Sequence, residues 1–360
     1  MRIGFDTALP ELSQRPLEHV ILPGFGNGPA TSLPDHVVTE RILRIVFRRR
    51  RTADPSDPCA AEPCRDCFAP HINTVGRYVA AGKPVHFVIP AFPAKSRNRR
   101  KTIGRLPDLG EYLALESIQS FCEQVSAVYA PGAVVTICSD GHVFSDSLGI
   151  DDEHVDDYGA ELLRMIRAIG GGAIGLYALR DAMPGLTTDQ RRARLIDEYA
   201  ETVDEIRNAV RSRPRVRRMF NGIHRFVTED HAVLMAELSA TQRRNRAKQT
   251  AYEVVARSRA WSRVVEKVFP DAVRLSIHPQ DHHDTKIGFH LLRATDSWLT
   301  PWHGVVLDDG LRQVLVKRAQ AERLGAHLVW RNSRPSHFVI DEPIEPGRLD
   351  RVAGAAEGES

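Results

Sequence analysis

The sequence predicts an α/β fold: a Rossmann-like, largely parallel sheet flanked by helices, with a helical middle segment and additional C-terminal strands. Three observations predict it. Short apolar runs at 85–90, 133–140 and 173–179 alternate with stretches of helical period at 110–129 and 152–168. Strands that are apolar on both sides need cover on both faces, which alternating helices supply. Residues 187–268 then carry only helical patterning, and strand-like runs return after Pro270.

Each element has its own reason. Residues 1–33 are rich in Pro and Gly, and the GFGNG run lacks a preceding strand, so it reads as a loop and not as a phosphate cradle. The stretch 35–50 has apolar residues at helical spacing and ends in a basic cluster, where cations favour the helix dipole. Residues 53–71 are punctuated by prolines. "VHFVIP" and "AVVTICSD" are β-branched, apolar and short, as buried strands are. Thr in N-cap position opens the helix "TTDQRRARLIDEYAETVDEIRNAVRS", and "SATQRRNRAKQTAYEVVARSRAWSRVVEKVF" forms a second long helix. Their arginines read as the solvated polar face of amphipathic helices, since no aromatic residues are interleaved. Further strands are expected at 272–279, 285–292, 303–309, 312–318 and 326–331. The organisation that follows is a lead-in over 1–70, an α/β domain over 71–345 and a disordered tail over 346–360.

Charge narrows the function. The 49 Lys+Arg against 46 Asp+Glu leave a net charge of +3, too balanced for a nucleic-acid coat, so any basic function is local. No apolar run approaches the roughly 20 residues that cross a bilayer. The N-terminus lacks the apolar core of a secretory signal, and five cysteines suit a reducing compartment, so a cytoplasmic location is expected. GxSxG, P-loop and strand-linked GxGxxG patterns do not occur, leaving serine hydrolase, NTPase and standard dinucleotide readings without support.

Polar clusters follow the apolar strands, where ligands of open α/β sheets bind. Lys95, Arg97, Arg99, Arg100, Lys101 and Arg105 crowd the segment after 85–90, which suits a phosphate or carboxylate, or else a solvated basic loop. Ser139, Asp140, His142, Ser145 and Asp146 follow 133–140; Asp140-Gly141 is also turn chemistry. His278, His282, His283, Lys286, His290 and His303 fall within 26 positions. They suit acid/base or anion-binding work, with a metal site as the alternative. Cys59, Cys64, Cys67 and His71 have one CxxC among them, open to either a structural zinc or plain thiols.

The blocks "FVIPAFPAKSRNRRKTIGRLPDLGEYLAL", "YAPGAVVTICSDGHVFSD", "NGIHRFVTED", "RSRAWSRVVEKVFPDAVRLSIHPQ" and "KIGFHLLRATDSWLTPWHGVVL" resemble those of the pyoverdine/dityrosine biosynthesis family, in order, from about Cys64 to His337. Bacterial members are isonitrile synthases. The resemblance implies that the α-amine of an L-amino acid, Trp or Tyr, condenses with the C2 ketone of ribulose 5-phosphate, and that loss of the other sugar carbons leaves an N≡C group. It implies no organic cofactor and no metal for that step, and a downstream iron- and 2-oxoglutarate-dependent oxygenase. It carries Lys95, Ser96, Asn98 and Lys101 over as phosphate or carboxylate contacts, and Asp140 and Asp146 as acid/base or amine-orienting groups. His278, Lys286 and His303 follow as anion contact and acid/base partners. Arg97 stands where the family commonly has proline; it joins the substrate-binding group or decorates the rim. On these roles, alanine at Lys95, Lys101 or His303 abolishes activity and leaves the fold intact. Two other readings remain: synthesis of an N-formyl or related amino acid of the dityrosine type, and a non-catalytic sugar-phosphate or amino-acid binding protein.

Overall fold

The chain alternates strands and helices through its first half, as its pattern predicts. The structure, a computed structural model, describes residues 33–344 except 55, 57, 58, 60, 61, 297 and 342. The GFGNG loop and the 346–360 tail lie outside the described residues. Two helices, α1 (Asp35–Phe47) and α2 (Arg65–Ala80), lead into β1 (Val85–Pro90), α3 (Leu109–Ser126), β2 (Ala133–Ser139), α4 (Gly141–Leu148), α5 (Asp152–Ala168) and β3 (Ile174–Ala178). The helical middle comprises α6 (Leu179–Ala182), α7 (Thr188–Tyr199), α8 (Val203–Ser212), α9 (Pro214–Leu234) and α10 (Ala240–Val268). Then come β4 (Val273–Ser276), β5 (Ile287–Gly288), β6 (Val305–Asp308), β7 (Gln313–Val316), α11 (Arg318–Arg323), β8 (His327–Arg331) and β9 (Arg334–Val339).

The main sheet has five parallel strands in the order β3-β2-β1-β4-β5. Both its faces are covered. Phe87 and Ile89 of β1 pack with α1, α2, α3 and α5, whereas Val88 between them packs with α4 and α10 on the other side. That alternation within one strand is why "VHFVIP" is apolar at every position but His86, whose Nε2 lies 2.8 Å from Thr136 Oγ1 on β2. From β1 the chain builds β2 and β3 on one side, then returns as β4 on the other. The crevice outside the carboxyl ends of β1 and β4 is therefore the topological switch point, the usual ligand position in such sheets.

Several boundaries differ from expectation for local reasons. The stretch 187–212 is two helices, because Thr202 and Glu205 form a second capping box and start α8 afresh. Only Ile287–Gly288 of the run 285–292 is strand. A four-stranded sheet, β7-β6-β9-β8, includes the unpredicted strand β9, whose Pro335 sits at the irregularity where β8 shifts register. The turn into it uses positive φ at Asn332 and Ser333. The expected boundary at 70/71 falls inside α2, and α1 contributes Ile42, Leu43 and Val46 to the principal core, so the lead-in is part of the domain. Among the described residues no helix is long and apolar enough to cross a membrane.

Candidate active site

The basic segment after β1 does not remain a free loop. Phe92, buried and at φ 59, turns the chain sharply, an uncommon backbone for a bulky residue, and Ser139 Oγ donates to its carbonyl at 3.0 Å. Lys95 is thereby driven inward. It is fully buried, 2.8 Å from Asp108 and 2.9 Å from Glu111, and donates to Pro301 O at 2.8 Å. Burial alone would depress its pKa, but the two carboxylates outweigh it and raise the value. Lys101 is likewise buried, 2.7 Å from Asp230 and 3.1 Å from Glu229, over the ring of Phe226. Asn98 Nδ2 donates to Asp230 Oδ1 at 3.2 Å, and Ser96 Oγ lies 3.4 Å from both oxygens of the same carboxylate. Lys95, Asn98 and Lys101, expected to grip an anion, are placed differently here: both amines hold carboxylates, and none of the three lines either of the two cavities at the switch point. They tie the β1 loop to α3 and α9 and fix Asp230 at the site's edge.

Two cavities meet at the switch point. The first, of about 140 Å³, is apolar, walled by Phe144, Leu148, Ile223, Phe226, Val254 and Trp302. It matches the size of an engineered apolar cavity that accepts one benzene ring, about 150 Å³. The second is a cleft of about 1000 Å³ lined by Arg213, Arg215, Arg218, Arg225, Arg259, Arg263, Arg274 and Lys286. Arg259 and Arg263, which read as a solvated helix face, thus line a cleft over the sheet. Asp140, Gly222, Ser258, Ile277, His278 and Trp298 border both spaces. Gly222 is required there, since a Cβ would sit 2.5 Å from the Trp298 ring. Gly141 serves similarly: a Cβ would meet Pro93 O at 2.2 Å, so only glycine lets the β1 loop lie against α4.

The groups at this junction are chemically poised. Asp140, at the end of β2, is pushed up to about 7 by burial, and its Oδ1 has no hydrogen-bond partner among the described residues. His278, at the end of β4, is held down to about 3 by burial, with Arg51 and Lys286 adding like charge, and its Nδ1 is also unpartnered. His303 is kept neutral in the same way, near 3, by burial and Lys101; it stacks on Phe226 and its Nδ1 lies 3.1 Å from Thr300 Oγ1. Lys286 donates to Ser262 Oγ at 2.8 Å, and burial, then Arg274 and Arg215, bring its pKa down to about 8. A cation so crowded by like charge gains from an anionic ligand.

Other sequence candidates lie elsewhere. Asp146 is not at the junction; its carboxylate is bound by Arg257, with Nη2 at 3.0 Å, and it lines neither cavity. Arg97 is exposed on the rim of the apolar chamber and donates to Gly149 O. Ser96 lines that chamber. Asp230 went unnoticed as a site residue, although the "NGIHRFVTED" block contains it; a carboxylate inside a helix pattern has no local signature. His71 is separated from the three cysteines, being buried beside Phe47 with ring centroids 6.0 Å apart, and His282 stands with them instead.

The chain is similar to known proteins over most of its length. The pyoverdine/dityrosine biosynthesis protein profile matches residues 75–329. The L-tryptophan isonitrile synthase AmbI2 of Fischerella ambigua is 44% identical over 310 residues, covering 86% of this chain and 94% of that protein. An L-tyrosine isonitrile synthase of Pseudomonas aeruginosa is 37% identical over 329 residues, 90% of this chain and 98% of that one. The crystal structure of PvcA from Pseudomonas aeruginosa superposes with a TM-score of 0.80 at 36% identity, covering 84% of this chain and 99% of the other.

Proposed function

The chain belongs to the pyoverdine/dityrosine biosynthesis family, and from that premise we propose that it is an isonitrile synthase acting on L-tryptophan or L-tyrosine, with ribulose 5-phosphate as the one-carbon donor. One observation carries the reading: an aromatic-sized apolar chamber and an arginine-lined cleft open onto one carboxyl, that of the half-buried Asp140. The ring of the amino acid fits the chamber, and the sugar phosphate fits the cleft, where Lys286 is crowded by the like charge of Arg274 and Arg215. The α-amine and the C2 ketone then meet beside Asp140 and His278.

Asp140 has the pKa to serve in both directions near neutrality. As carboxylate it takes the proton from the α-ammonium and frees the nucleophilic lone pair. As carboxylic acid it returns a proton to the carbinolamine hydroxyl, which leaves as water when the imine forms. Neutral His278 and His303 offer a hydrogen bond without adding charge to an apolar enclosure. Asp230, held by Lys101 and Asn98, faces the chamber as a fixed negative charge for the amine.

The test is incubation with tryptophan or tyrosine plus ribulose 5-phosphate, with a tetrazine trap and mass spectrometry. An isonitrile adduct that disappears in D140N supports the reading. A formylated amino acid points to the dityrosine-type reaction, and unchanged amino acid with tight binding of both ligands points to a binding protein.

A further inference from the structure

Away from this junction, three thiols and an imidazole converge from distant parts of the sequence. Cys59, Cys64, Cys67 and His282 each offer a ligand atom, all within 4.8 Å of one another. Cys64 Sγ lies 3.8 Å from Cys67 Sγ and 3.6 Å from His282 Nε2. Tetrahedral zinc with Zn–S of about 2.3 Å and Zn–N of about 2.05 Å separates two sulfurs by about 3.8 Å and sulfur from nitrogen by about 3.6 Å. The third separation, Cys67 Sγ to His282 Nε2, is 2.7 Å, so a metal would spread that pair. Convergence on one point fits a single ion; a cluster distributes its protein ligands over several metal centres.

We propose that Cys59, Cys64, Cys67 and His282 bind one structural Zn²⁺. Binding displaces the three thiol protons to solvent and uses the lone pair of neutral Nε2, giving a closed four-ligand site with a net charge of −1. Arg50 meets that charge: its Nη1 is 3.2 Å from Cys67 Sγ, and its other terminal nitrogen donates to the Cys59 carbonyl. Three thiolates and an imidazole in tetrahedral array favour zinc over the harder divalent cations.

The fold gives the ion a task. β4 and β5 are parallel neighbours joined only by residues 277–286, whereas a parallel crossover ordinarily needs a dozen or more residues, usually a helix. This loop carries His278 and ends at Lys286. It is fastened to residues 50–53 by backbone bonds, Ala53 N to Gln280 O at 2.9 Å and Gln280 N to Arg51 O at 3.1 Å. A zinc ion through His282 would clamp the same loop to the start of α2, keeping two groups of the junction in place.

The test is elemental analysis of the untagged full chain purified from zinc-containing medium, with cobalt substitution. About one zinc per chain is expected, together with the visible d–d and thiolate charge-transfer bands of tetrahedral Co²⁺. C64S and H282A should each lower zinc content at least tenfold, while H71A and H283A retain it. Far-UV circular dichroism separates loss of metal from loss of fold, and the unmutated protein is decisive if a variant does not fold. Folded protein without bound metal and without a cobalt spectrum would overturn the proposal. Iron in place of zinc would overturn the assignment of the ion, and zinc loss in H283A but not H282A would overturn the ligand set.

Discussion

Asp140 should stabilise catalysis at the expense of the fold, and D140N measures both. Its carboxyl is raised by burial from 3.8 to about 7. Because the folded value lies above the unfolded one, the native state binds the proton more tightly, and stability falls as pH rises. The loss begins near the unfolded pKa and is complete above the folded one. At 1.36 kcal/mol per unit, ionisation costs the native state roughly 2 kcal/mol at pH 5 and roughly 4 kcal/mol at pH 8. Asp140 holds the N-cap position of α4 without a side-chain capping bond, so asparagine keeps the shape of the side chain and removes the charge. Urea unfolding of both proteins at pH 5 and pH 8 should therefore show the gap moving by roughly 2–3 kcal/mol in favour of D140N, while isonitrile formation drops at least a hundredfold. A gap that stays constant with pH, or moves towards the unmutated protein, refutes a carboxyl with a buried, unpartnered oxygen at this position.

Three further outcomes are expected. K95M strands Asp108 and Glu111 without their cation, so stability should fall by about 3–5 kcal/mol and Tm by on the order of 10 °C; a stable variant with only a raised KM would restore the anion-clamp reading. K286Q should raise KM for ribulose 5-phosphate by roughly 10- to 100-fold, the worth of a charged hydrogen bond, with kcat nearly unchanged. In the unmutated enzyme that KM should climb above about pH 8, where Lys286 loses its proton; a flat profile removes it from the phosphate site. I223W should fill the apolar chamber and abolish amino-acid binding while calorimetry still detects the sugar phosphate, and equal loss of both ligands would argue against two compartments.

Much of the fold was legible because it rests on local pattern. "VHFVIP" is apolar but for His86, so it reads as a covered parallel strand, and the helical spacing over 110–129 marks α3. Asp140 and His278 were legible for a related reason: polar residues directly after such strands land where the sheet opens. The second capping box at Thr202, the edge strand of two residues and the proline-bearing β9 were harder, since short elements carry little periodicity and take their shape from the partner they pair with.

Local sequence therefore determined which segments are strands and helices, and that charge and imidazole gather at the sheet's carboxyl end. Tertiary structure alone decided what each charge does. Lys95 and Lys286 look alike in the sequence, yet one is sealed between Asp108 and Glu111 and the other borders the cleft beside Arg274. Arginines of α9 and α10, unremarkable on an amphipathic helix, face a ligand-sized cleft only once those helices pack over the sheet. His282 joins Cys59, Cys64 and Cys67 across more than two hundred residues. The physical reason is common to all three. Periodicity encodes which side of an element is buried, whereas the free energy of a charge depends on its neighbours and on the water they exclude, and both are set by residues far away in the chain.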